Sequence, residues 1–137
     1  MIHETLASLA AAVEGKLRHE REQADPNESC GIIFDDGTIT RLPNESDDPQ
    51  HSYQVSKRTL SLAMDARNRA NGRRKALPVG IYHSHVVMPA EPSLADVRQL
   101  VKLSKNNEHP PLMFITGMDG LRIWAWNETV VEMDWNE

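Results

Sequence analysis

The chain is short of the features that mark a disulfide scaffold, a membrane protein or a nucleic-acid binder. Cys30 is the only cysteine, so no intrachain disulfide can form and a zinc site built on several thiolates is excluded. A single thiol also fits a reducing compartment. No stretch approaches the roughly 20 apolar residues needed to span a bilayer. The N-terminal "MIHETLASLAAAVEGKLRHEREQ" lacks the basic start, apolar run and small-residue cleavage site of a secretory leader. The expectation is a soluble, cytoplasmic protein without membrane contact. Basic charge is scarce as well: 15 Lys and Arg against 20 Asp and Glu leave a formal net charge of −5, so bulk electrostatics recruits neither nucleic acid nor an anionic membrane. The one basic cluster is Arg67, Arg69, Arg73, Arg74 and Lys75 in "RNRANGRRK". It falls where a helix should end ahead of Gly72, and cations are favoured in a last helical turn.

What is present reads as one globular domain over residues 1–137. The hydrophobic share of 39% and charged share of 26% are ordinary, and the length suits a single core. Ile2, Leu6, Leu9, Ala10, Val13 and Leu17 recur at helical spacing, predicting an amphipathic helix over about residues 2–20. "CGIIF", the turn "DDG" and "TITRL" read as a hairpin. "PNESDDPQ" is a loop, and "HSYQVS" alternates as a strand does. Ser56 is placed to cap a helix through "KRTLSLAMDARNRAN". "ALPVGIYHSH" reads as a buried strand, "SLADVRQLVKLSKNN" as a helix, and "PPLMFITG", "LRIWAWN" and "TVVEMDW" as three closing strands. This order predicts a mixed α+β fold rather than a regular βαβ repeat.

The chemistry concentrates in "YHSHVVMPAEPSLAD". On an extended strand His83 and His85 point to one face, where two imidazoles can chelate one metal ion. Asp96, on the first turn of the following helix, is the natural third ligand. The competing reading of Ser93 and Asp96 is a helix capping box, although that motif prefers Glu or Gln at its third position. A metallohydrolase also needs a group to carry a proton to the leaving amine. Glu28 in "PNESCGIIF" is the candidate; taken alone, a Glu before a strand is usually a surface residue.

Together these residues resemble the JAMM motif of the MPN-type (Mov34/PAD-1, JAB) zinc metalloproteases. Glu28, His83, Ser84, His85, Ser93 and Asp96 satisfy it, with seven residues between His85 and Ser93 and two between Ser93 and Asp96. The segments "PNESCGII", "LPNESDDPQHSYQVS", "VGIYHSH" and "PSLAD" resemble the family's surroundings of these residues, and the similarity runs from about residue 2 to 135. It implies a cytidine-deaminase-like, MPN-type mixed β-sheet flanked by helices, in a small prokaryotic or phage-type member. It further implies that His83, His85 and Asp96 bind one zinc ion per chain, that Glu28 is the general acid/base, and that Ser93 hydrogen-bonds the oxyanion. Asn44 corresponds to the family's loop asparagine, and Ser84 orients backbone rather than reacting. The implied activity is cleavage of a peptide or isopeptide bond in a protein or peptide substrate, with the C-terminus of a ubiquitin-like or sulfur-carrier protein as one class. The alternatives are a non-catalytic MPN-type scaffold, which typically lacks these ligands, and a phage tail-assembly peptidase.

One departure stands beside the site: Val86 and Val87 occupy the place where many members carry a proline after the His-Ser-His segment. His51, Tyr53 and Met88 are candidates to line a substrate groove. A cupin also uses His-x-His, but it expects Glu three or four residues later, where this chain has Pro89 and Ala90; His109, in a polar loop, is a poor fourth ligand.

Overall fold

A computed structural model describes residues 3–71, 76–105 and 108–135. Among them the order is α1 (Leu6–Ala24), β1 (Cys30–Phe34), β2 (Ile39–Leu42), α2 (Lys57–Asn71), β3 (Pro78–Ser84), α3 (Leu94–Ser104), β4 (Leu112–Gly117), β5 (Gly120–Trp126) and β6 (Val130–Met133). The strands make one sheet in the order β2-β1-β3-β4-β5-β6. All neighbours are antiparallel except β3 and β4. That parallel pair needs a crossover, which α3 supplies. No helix among the described residues is long and apolar enough to cross a membrane.

Alternation along the strands divides the core between the two faces of the sheet. On one face Leu9, Ala10, Val13 and Leu17 of α1 pack against Ile33, Tyr82, Phe114 and Ile123. On the other, Cys30, Ile32 and Phe34 meet Ala63 and Met64 of α2, while Leu100 of α3 meets Met113, Ile115 and Ala90. The sheet is therefore covered on both sides, and β3, which carries the candidate ligand His83, lies near its middle.

Three boundaries differ from the sequence reading. Helix α1 begins later, at Leu6, because the Thr5 side chain accepts the Ser8 N–H and caps it. It also runs on to Ala24, about one turn beyond the expected end near residue 20, through "HEREQA". These are mostly good helix formers, and Pro26 disfavours continuing the helix. The "HSYQVS" segment is extended but is not a strand of the sheet. Its backbone turns to Asn44 and Glu45 instead: Gln54 N–H donates to Asn44 Oδ1, and Ser56 N–H to Glu45 Oε1. Tyr53 and Val55 still pack on the β1 side of the core. Of the basic cluster, Arg73, Arg74 and Lys75 lie outside the described residues. Arg67 is turned inward, with its guanidinium 4.2 Å from the Phe34 ring centroid and bonded to the Thr38 hydroxyl.

Candidate metal centre

Strand β3 delivers His83 at its penultimate position, and His85 follows just past its end. The sheet's bonding continues to that point, since His85 N–H donates to Thr116 O at 2.8 Å. Asp96 comes from the first turn of α3, and both members of the capping box form: Asp96 N–H donates to Ser93 Oγ and Ser93 N–H to Asp96 Oδ2. The capping and ligand readings are thus compatible. The cap aims the carboxylate at the histidines.

The three donors converge. His83 Nε2 and His85 Nε2 are 3.3 Å apart, and each lies 3.1 Å from Asp96 Oδ2. All three residues are buried. A cation with ligands at about 2.0–2.1 Å in tetrahedral geometry separates them by roughly 3.3 Å, so the spacing fits one ion held between them. The donor chemistry agrees. Two imidazole nitrogens facing one another and one carboxylate oxygen form a set with lone pairs to share, and His85 Nδ1 donates to Pro89 O at 2.8 Å, which leaves Nε2 available as the ligand. His83 Nδ1 is buried without a hydrogen-bond partner. Its ring is held by stacking against Tyr53, with centroids 4.4 Å apart, and the Tyr53 hydroxyl donates to Gln99 Oε1 on α3.

In the metal-free protein the imidazoles can donate to Asp96 from the nitrogens that would otherwise hold the ion, and protonation follows from burial and proximity. Burial works to raise the Asp96 carboxyl, but hydrogen bonds from His83 and His85 outweigh it and hold the group well below the usual carboxylate range. Burial works against charge on His85, and its bonds to Asp96 and to the Pro89 carbonyl more than compensate, raising it. Among the described residues Glu28 has no such donors. Burial pushes it up to about 7, against the pull of His85 and with a further push from the Asp96 charge.

Glu28 precedes β1, and hydrogen bonds tie its segment to the histidine strand and the adjoining loop, among them Glu28 N–H to Pro49 O at 2.7 Å. Ser84 Oγ accepts the Ser29 N–H at 2.8 Å, Ser84 N–H donates to Ser29 O, and Asn44 Nδ2 donates to Glu28 O. Asn44 also bonds the carbonyls of Pro49 and Ser52, organising the loop that follows. Ser93 uses its oxygen as the acceptor for the helix cap, which leaves its O–H free to donate outward from an exposed position. A groove of ≈ 580 Å³ opens over these groups. One wall is the 50–55 segment with His51 and Tyr53, the other is the 86–89 loop with Met88, and Glu28, His85, Ser93 and Asp96 lie between.

Several residues that hold the site carry no sequence pattern. Arg21, Gln99 and Trp124 are isolated polar contacts made across the fold. Gly117 leaves room for the loop: a Cβ there would stand 2.5 Å from Ala90 N and 2.6 Å from Pro89 C. Only the tight turn next to Gly117 hints at it.

No curated protein matches the chain. Among solved structures, protein DSY2949 from Desulfitobacterium hafniense aligns with a TM-score of 0.65 and 25% identity, covering 90% of this chain and 86% of that one. AF2198, a JAB1/MPN domain protein from Archaeoglobus fulgidus, aligns with a TM-score of 0.51 and 16% identity, over 90% and 92% of the two chains. At that identity it supports the fold alone, and the fold is the same mixed sheet flanked by helices. Residues 10–127 match the family of prokaryotic homologs of the JAB domain, and the chain belongs to that family.

Proposed function

We propose that the chain is a zinc-dependent hydrolase that cleaves a peptide or isopeptide bond, with the C-terminal tail of a ubiquitin-like or sulfur-carrier protein as its substrate class. The observation that carries this reading is the convergence of His83, His85 and Asp96 at 3.1–3.3 Å beneath a groove whose lining includes His85, Asp96 and a buried Glu28. Two imidazole nitrogens and a carboxylate oxygen buried at one point, with an acid beside them, form the donor set that a metallohydrolase requires.

His83, His85 and Asp96 would hold the cation. Bound there, zinc would supply Lewis acidity, acidifying water and polarising the scissile carbonyl. Glu28 takes the proton released by the attacking water and passes it to the leaving amine. Burial raises its pKa, which suits it to hold the proton between the two halves of that transfer. The Ser93 hydroxyl donates to the oxygen on which negative charge develops. Tyr53 and the 86–89 loop confine an extended chain between the two walls.

The test is a cleavage screen against a panel of ubiquitin-like proteins carrying C-terminal extensions and isopeptide-linked adducts, with Glu28→Gln as the control. Cleavage of at least one substrate by the parent chain, lost in the variant, supports the assignment. Absence of cleavage across the panel by zinc-loaded protein overturns the substrate class.

A further inference from the structure

The polar contacts of the last turn of α1 reach the site from the opposite side of the sheet. Strand β3 ends at Ser84, so the carbonyls of His85 and Val86 have left the ladder and need other partners. Arg21 provides them: Nε donates to His85 O at 3.0 Å, and Nη2 to Val86 O at 2.9 Å. We propose that Arg21 is a positioning residue for the metal ligand His85, its guanidinium fork setting the path of the chain as it leaves that residue. This inference rests on the zinc reading above.

The geometry gives the fork a specific task. The chain must curl after Val86 so that Pro89 O can accept from His85 Nδ1 at 2.8 Å, the bond that places the proton on Nδ1 and leaves Nε2 for the ion. The far end of the curl is well held. Met118 N–H donates to Met88 O, Ala90 N–H to Asp119 Oδ1, and Trp124 Nε1–H to Ala90 O, with the loop seated against Gly117. Among the described residues the near end has no comparable support apart from Arg21. Val87 is 70% exposed, and with Val86 and Val87 no proline stiffens the exit from His85. Two parallel N–H groups from one rigid plane on consecutive carbonyls restrict the dihedrals between them, which an ammonium group, a single point donor on a flexible stem, cannot reproduce. Arg21 is itself anchored through its neighbour: Glu20 accepts both Arg41 Nε and Nη2, and also the Tyr82 hydroxyl, on the same turn of α1.

A residue that only fastened α1 to the sheet would affect folding and leave the ion's surroundings alone, so the test separates the two. Zinc affinity is measured by competition with a chromophoric chelator, cobalt spectra are recorded on the same proteins, and urea midpoints are taken without metal. The proteins are the parent chain, Arg21→Ala, Arg21→Lys and, as a charge control on an exposed position of the same helix, Arg18→Ala. Folded Arg21→Ala is expected to bind zinc about 10- to 100-fold more weakly and to shift the cobalt ligand-field bands. Arg21→Lys should recover only part of the affinity, and Arg18→Ala should match the parent. If Arg21→Ala does not fold, Arg21→Lys decides, because it keeps the charge and loses the fork. Parent-like affinity and cobalt spectra in the folded Arg21 variants overturn the positioning role, whatever their urea midpoints. A parent chain that takes up no zinc overturns the zinc reading, and this inference with it.

Discussion

Glu28 and Asp96 are both buried carboxyls at one groove, and their surroundings drive them apart. Asp96 receives hydrogen bonds from two imidazoles and a backbone N–H and stays ionised, whereas Glu28 is dominated by burial and rises to about 7. That separation suits Asp96 to the ligand role and Glu28 to the proton-carrier role proposed above. Glu28→Gln is therefore expected to lower kcat by about 10²–10⁴-fold with zinc still bound, and Asp96→Asn to lose metal and activity together; metal analysis alongside turnover checks both. The Glu28 shift also has a sign in the metal-free protein. The unfolded chain loses this proton near 4.5 and the folded chain holds it to about 7, so the stabilisation is complete at low pH and is lost as pH rises between those values. Urea midpoints at pH 5 and pH 8 should fall more steeply for the parent than for Glu28→Gln. Equal slopes would mean that Glu28 titrates normally. At this scale His83, His85, Ser93, Asp96 and Glu28 were legible because their chemistry is rare in combination. Arg21, Gln99 and Trp124 were not, since one polar residue bonding across a fold leaves no periodic trace.

Among the elements, the apolar stripe located α1 but stopped at Leu17, and the turn beyond it carries Glu20 and Arg21. Periodicity reports which face is greasy; a turn buried through hydrogen bonds is silent to it. The "HSYQVS" alternation shows the converse. Tyr53 and Val55 do face the core as alternate residues of a strand would, yet Asn44 and Glu45 side chains take backbone N–H groups that a neighbouring strand would otherwise have bonded. The loop after His85 depends on close approach to β4. In Gly117→Ala the new Cβ would meet backbone atoms of residues 88–90 at 2.5–2.7 Å, and backbone cannot yield as a flexible side chain would. The variant is expected to lose about 1–3 kcal/mol of stability by urea denaturation and, by displacing Pro89 O, to weaken zinc binding as well.

For the whole molecule, the consequence of a sheet covered on both faces is that the candidate ligands are preassembled. His83 is locked in the middle of the sheet, Asp96 sits on the crossover helix between the two parallel strands, and Glu28 is carried in by the strand on the other side of β3. Topology of this kind follows from connection lengths and the pairing of distant strands, so the element order could be read in advance while the strand order could not. An ion that binds only the folded arrangement must stabilise it. Free zinc at about 100 times its Kd should contribute about 2.7 kcal/mol, seen as a Tm several degrees higher than in chelator, and Asp96→Asn should lose that difference. The most direct measurement is an anomalous difference map, collected at the zinc absorption edge from crystals grown with zinc. One peak within bonding distance of His83 Nε2, His85 Nε2 and Asp96 Oδ2 is expected; a well-ordered site with no peak there overturns the metal centre.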